Sequence, residues 1–147
     1  MSDLSLNSLY QQLILDHYRK PRNKGELAEK TVEIHMANPV CGDEIRLQLQ
    51  VEDDRIVEAR HVGQGCSISQ ASVSMMTVLL KGRDLTEAET LADGFTAMMH
   101  GDQEAARDKS MGDLRALQGV SKFPVRIKCA LLAFDALREA IKQTRSH

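Results

Sequence analysis

Residues 31–62 read TVEIHMANPVCGDEIRLQLQVEDDRIVEARHV, three alternating runs with turn signals between them. In the first, Val32, Ile34 and Met36 point one way and Thr31, Glu33 and His35 the other, the pattern of a half-buried strand. Asn38-Pro39 breaks that run. The second alternates through Ile45, Leu47, Leu49 and Val51, and Asp53-Asp54 reads as a hairpin turn into a third run from Arg55 to about Val62. Three consecutive strands with short links predict an antiparallel meander. In a meander, alternate loops lie on the same edge of the sheet. The segment before strand two and the segment after strand three are therefore expected side by side.

Outside this stretch the period lengthens. Leu6, Leu9, Leu13 and His17, widened by Ile14, mark a helix over residues 4–20 that Pro21 stops. After Gly63-Gln64-Gly65, Ile68, Ala71, Met75, Met76 and Leu79 mark a helix over Ser67–Lys81, with Gly82 at its end. Thr86 and Glu89 have capping-box spacing and open a helix through Leu91, Phe95, Met98 and Met99 to Gly101. Residues 102–110 are polar and are expected to form an exposed loop. A short helix over Met111–Leu117 follows, ending at Gly119. A long helix begins at Pro124 and runs to about Gln143, with Val125, Cys129, Leu132, Ala136 and Ala140 on one side. Strands first and helices later predict an α+β domain over residues 1–147: a small antiparallel three-stranded sheet packed on one face by helices.

Composition narrows the function. The chain has 147 residues, 42% apolar and 27% charged, ordinary for a globular protein that needs no disulfide staples. Its net charge of −2 without a basic block argues against nucleic-acid binding. No segment reaches the ~18 apolar residues of a membrane span, and Met1-Ser2-Asp3-Leu4 lacks a signal-peptide layout. A cytoplasmic location with no membrane partner follows as the expectation. Three cysteines is an odd number, and in a reducing compartment they are expected free, catalytic or metal-bound.

The cysteines all fall at junctions, where chemistry is usually mounted. Cys41 and Asp43 lie between strands one and two, Cys66 between strand three and the next helix, and Cys129 within about two turns of the start of the last helix. Cys66 and Cys129 are expected near helix N-termini, where the dipole favours a thiolate, and Arg126 and Lys128 would add to that field. Gly42 lets backbone approach closely between two ligands. Three thiolates and one carboxylate make a closed tetrahedral zinc site with a net charge of about −2. Scattered cysteines are more often small buried hydrophobes, but such residues need no flanking glycines, and Cys-Gly-Asp with Gly-Gln-Gly-Cys supplies them.

Asn38-Pro39-Val40-Cys41-Gly42-Asp43, Gly63-Gln64-Gly65-Cys66-Ser67-Ile68-Ser69 and Lys122-Phe123-Pro124-Val125-Arg126-Ile127-Lys128-Cys129 resemble the signature segments of SufU/IscU-like (NifU N-terminal-like) iron–sulfur cluster assembly proteins. The run Leu15-Asp16-His17-Tyr18-Arg19-Lys20-Pro21-Arg22-Asn23 is similar to that family too, so the likeness covers nearly the whole chain. It implies a SufE/IscU-like fold and maps the family's metal ligands onto Cys41, Asp43, Cys66 and Cys129. IscU-type scaffolds carry a histidine immediately before the third cysteine, where this chain has Lys128. That departure, with the long insertion near 84–110, is similar to the SufU branch. Such proteins bind zinc and take sulfur from a SufS-like cysteine desulfurase, working beside other iron–sulfur assembly proteins.

The resemblance implies a zinc-dependent sulfurtransferase in which Cys41, on a loop that can move, accepts persulfide sulfur as the catalytic nucleophile. The alternative is a scaffold on which a transient [2Fe–2S] cluster is assembled and passed on, since thiolates suit iron–sulfur clusters equally well. A purely structural zinc module that docks partners is a third reading. Of the histidines, His17 is expected to pack in the core or an interface. His35 and His61 are expected on the sheet surface, and His100 and His147 exposed. The Met75-Met76 and Met98-Met99 pairs read as core packing.

Overall fold

The computed structural model describes residues 8–146. Helix α1 (Ser8–Arg19) precedes strands β1 (Val32–Asn38), β2 (Asp43–Glu52) and β3 (Arg55–Gln64). Helices α2 (Ser67–Leu80), α3 (Leu85–Met99) and α4 (Gln103–Arg107), a 3-10 helix (Lys109–Lys122) and α5 (Pro124–Arg145) follow. The sheet is antiparallel in the order β1-β2-β3. Asp53 and Asp54 both have positive φ, 52° and 63°, the backbone that a two-residue hairpin loop with native twist requires.

Register follows the alternation. Val32 and Ile34 stand opposite Leu49 and Leu47, and these in turn oppose Ala59 and His61. All are buried, so this is the inner face. A bulge at Gln50/Val51 shifts the pairing by one residue and turns Ile56 to the same face. Helix α5 packs on β1 and β2, and α2 packs on β3 and α5. The Ser72 hydroxyl donates to the Ala130 carbonyl (2.7 Å) between α2 and α5, and Phe95 of α3 stacks on Phe134 of α5 with centroids 4.5 Å apart. The two methionine pairs lie in this core. On the outer face, Gln48 bonds the Leu27 amide and the Glu26 and Glu33 carboxylates.

Several details depart from the periodicity. On α1 the packed stripe is Tyr10, Leu13, Ile14 and His17, while Leu9 is exposed; residues 4–7 of the expected helix, Leu6 included, lie outside the described residues. The capping box is Asp84 with Glu87, two residues ahead of Thr86/Glu89. Asp84 bridges to Arg55 and the Leu85 amide donates to the Asp54 carbonyl, so the hairpin turn fixes where α3 begins. Within 102–110, Asp102 caps the short helix α4, which buries Ala106. The helix expected over 111–117 is 3-10, kinked at Gly112 (φ 51°), and runs past Gly119 to Lys122. In α5, Val125 is 68% exposed rather than packed. His61, expected on the surface, faces inward and is buried, because Leu47 opposite it is a core residue. His147 lies outside the described residues.

Candidate metal centre

The site forms at one end of the sheet. Asn38 pairs with Asp43 across the β1–β2 loop, and Glu44 pairs with Gln64 at the end of β3. The loop carrying Cys41 therefore stands beside the start of α2, as the meander requires. The N-terminal turns of α5 reach the same end. The Cys41 loop is held by turn bonds: its amide donates to the Asn38 carbonyl (3.2 Å) and the Val40 amide to Asn38 Oδ1 (3.2 Å).

One sulfur of Cys41, one oxygen of Asp43 and the sulfur of Cys129 all lie within 4.8 Å of one another, a group that could hold a metal ion. Cys66, the fourth expected ligand, is not part of that group and adjoins it through Asp43: the Cys66 amide donates to Asp43 Oδ1 (2.9 Å), and Cys66 Sγ is 3.9 Å from Asp43 Oδ2. Around a tetrahedral zinc, two thiolates ~2.3 Å from the ion stand roughly 3.8 Å apart, and a thiolate and a carboxylate oxygen roughly 3.6 Å. The Cys41, Asp43 and Cys129 atoms exceed this by about 1.2 Å at most. The donors of this group, two soft sulfurs and one carboxylate, are of the types that zinc takes.

Asp43 is buried, and the shape of its chamber comes from Gly65. A Cβ on Gly65 would stand 2.4 Å from Asp43 Oδ1 and 2.8 Å from Ser69 Oγ, and its φ of 151° disfavours a side chain. Cys66 is the N-cap of α2 and accepts from the Ser69 amide (3.5 Å). The Ser69 hydroxyl donates to the Cys66 carbonyl (3.2 Å) and accepts from Gln70 Nε2 (3.2 Å). Sequence reading did not pick out Ser69. The three-residue step from Cys66, the spacing of an N-cap and the amide it captures, is the signal that would have found it.

Cys129 differs from expectation. It is buried in the second turn of α5, and burial pushes its thiol pKa far up, helped by hydrogen bonding with Asp43 and Cys41 and by nearby negative charge. Metal-free, this residue is a thiol at neutral pH, not the thiolate that the helix dipole and two cations promise. The two cations line different cavities. Arg126 lines an apolar groove with Tyr10, Ile14, Ser67, Ile68 and Phe123. Lys128 lines a separate cavity with Cys41.

Residues 9–130 match the model of the NifU-like N terminal domain. The chain is 48% identical over 137 residues to the zinc-dependent sulfurtransferase SufU of Bacillus subtilis (strain 168), covering 93% of this chain and 92% of that protein. It is 43% identical over 139 residues to the iron–sulfur cluster assembly scaffold protein IscU of Streptococcus pyogenes serotype M1, covering 95% and 86%. Among solved structures, an iron–sulfur cluster assembly scaffold protein for the SUF system from Fervidobacterium islandicum AW-1 superposes with a TM-score of 0.78 at 28% identity, covering 96% of this chain and 99% of that one. No helix among the described residues is long and apolar enough to cross a membrane.

Proposed function

Because this chain belongs to the NifU-like N terminal domain family, we propose that it is a zinc-dependent sulfurtransferase of iron–sulfur cluster assembly that accepts persulfide sulfur from a partner cysteine desulfurase. The convergence of Cys41, Asp43 and Cys129 to within 4.8 Å, with Cys66 at 3.9 Å from Asp43, is the observation that carries this reading. Cys41, Asp43, Cys66 and Cys129 hold the ion. When bound, zinc supplies a Lewis-acidic centre that favours thiolates over thiols and shields them from oxidation.

The chain's own residues divide the work. Asp43 is pinned by the Cys66 amide and presents its second oxygen to the site. Cys66 and Cys129 are mounted on helices and are fixed. Cys41 rides on a loop secured by two turn bonds, so it is the sulfur that can move toward a donor. Its thiolate attacks the outer sulfur of the donor's persulfide. A new S–S bond forms, the donor's S–S bond breaks, and the donor cysteine leaves as a thiolate, with no net oxidation. Three free cysteines suit a reducing compartment, and we place this single-domain protein in the cytoplasm with other iron–sulfur assembly proteins as neighbours.

The test is transfer of labelled sulfur from a preloaded desulfurase. Wild type takes up label, and a folded Cys41→Ser variant does not; label on that variant refutes Cys41 as acceptor. The similarity to an IscU scaffold supports a second reading, assembly of a [2Fe–2S] cluster on the same residues. Anaerobically purified protein that is colourless with one zinc supports transfer. Brown protein with iron and sulfide supports the scaffold.

A further inference from the structure

A cavity of about 340 Å³ opens between the Cys41 loop and the first turns of α5, lined by Asn38, Val40, Cys41, Pro124, Val125 and Lys128. Its mouth is apolar: Val40 is 88% and Val125 68% exposed, with Phe123 close by in sequence at 49%. A helix is ~10–12 Å across with its side chains, too wide for a space of this volume, so what enters is one side chain or an extended turn of chain. Among the described lining residues Lys128 alone is charged. The N-terminus of α5, the positive end of its dipole, carries no side-chain cap on this wall.

These features fit the encounter that sulfur transfer demands. The nucleophile is a thiolate and the donor is a persulfide anion, so two negative charges must meet at one sulfur. Like charges in a partly dry cavity repel strongly unless a cation is placed between them. We propose that this cavity is the port through which a protein-borne persulfide reaches Cys41, and that Lys128 is a catalytic residue there, its ammonium pairing with the sulfane sulfur as it changes hands. The proposal rests on the sulfurtransferase reading and adds the route and the charge. The Cys41 thiolate attacks the outer sulfur, the donor's S–S bond breaks toward the donor cysteine, and Lys128 stays paired with the persulfide anion now on Cys41. The lysine is not consumed. A neutral histidine would not supply this charge. Arg126 does not either, because it lines the groove beside Ser67 instead.

The experiment is single-turnover transfer from a desulfurase preloaded with radiolabelled persulfide to the full-length zinc-loaded protein. Cys41 persulfide is read by mass spectrometry, with zinc content and desulfurase affinity measured in parallel. Lys128→Met is expected to slow the saturating transfer rate about 10–100-fold, Lys128→Arg to restore it to within a few fold, and Lys128→Glu to fall below the methionine variant. Zinc stoichiometry stays at wild type throughout. The proposal is overturned if Lys128→Met transfers within twofold of wild type. It is also overturned if only the affinity for the desulfurase changes, which makes Lys128 a docking residue, or if the variant loses zinc. Failure of wild type to take label sinks the sulfurtransferase reading itself, a different result from a wild type that works and a lysine that does not matter.

Discussion

Replacing Gly65 by alanine tests whether the glycine before Cys66 exists to make room for the buried carboxylate. The new Cβ would stand 2.4 Å from Asp43 Oδ1 and 2.8 Å from Ser69 Oγ, and the first of these cannot yield without moving the carboxylate off the Cys66 amide. The backbone adds to this, since a residue with a side chain at φ 151° costs on the order of 1–3 kcal/mol. Loss of an amide hydrogen bond to a buried carboxylate costs about 1.5–3 kcal/mol more. Together these give a destabilisation of about 2.5–6 kcal/mol, a large part of a typical folding free energy. The displaced Asp43 should also lower zinc affinity by roughly 10–100-fold. Gly42→Ala is the control: its φ is 72°, but nothing lies within 4 Å of the added Cβ, so only the backbone cost of ~1 kcal/mol applies. Denaturant unfolding of the metal-free proteins gives the first quantity and competition with a chromophoric chelator the second. If Gly65→Ala unfolds within 1 kcal/mol of Gly42→Ala and binds zinc as tightly, the chamber is not what the glycine is for.

Two further expectations concern protons. Burial holds the His61 pKa below its ordinary value, against the opposing Arg22 carbonyl that Nε2 bonds at 2.9 Å and with the help of the Lys24 charge; Nδ1 has no hydrogen-bond partner among the described residues. The unfolded chain therefore binds this proton more readily, and the stability linked to His61 is full above about pH 6.5 and declines as the pH falls toward the lower folded value. Denaturation midpoints at pH 7.5 and 5.5 should drop less in His61→Phe than in wild type, and an equal drop removes His61 as the source. At the metal site, the raised Cys129 pKa requires a proton to leave when zinc enters. Calorimetric titration with zinc at pH 7, repeated in buffers of different ionisation enthalpy, should report release of at least one proton, with affinity rising with pH; buffer-independent heats would mean the site is already ionised.

How far the sequence could be read follows from which interactions are local. The meander was legible because one buried face imposes a period of two, and a turn of two aspartates with positive φ is a signal within the turn itself. The start of α3 was not, because Asp84/Glu87 and Thr86/Glu89 both satisfy the capping-box spacing. The choice is made by Asp54 and Arg55 of the hairpin, some thirty residues away in the chain, which hold Asp84 and Leu85 in place. His61 was misplaced for a related reason. Alternation assigns it to one face of β3, but only the pairing with Leu47 says which face is inside. Val125 has the helical spacing of a core residue, yet it precedes the point where α5 meets the sheet and lies at a cavity mouth instead.

The site divides along the same line. Sharing of one sheet edge by Cys41, Asp43 and Cys66 is a consequence of topology, so the sequence contained it. The difference between Cys66 and Cys129 is one of depth in the helix: Cys66 is the N-cap of α2, whereas Cys129 lies six residues past the Phe123 N-cap of α5. The helix field falls off within the first turn. Cys66, at the N-cap, has the Ser69 amide directed at its sulfur, whereas Cys129, in the second turn of α5, has the Val125 carbonyl at 4.0 Å, hydrogen bonding with Asp43 and Cys41, and a buried, negatively charged surround. The three sulfurs are therefore not equivalent members of one cage. One is fixed by a helix cap, one keeps its proton until a metal displaces it, and one sits on a turn beside an open cavity with a lysine on its wall. A site built to hold an ion permanently gains nothing from leaving one ligand on a loop at a cavity mouth, and a site built to exchange sulfur needs that arrangement.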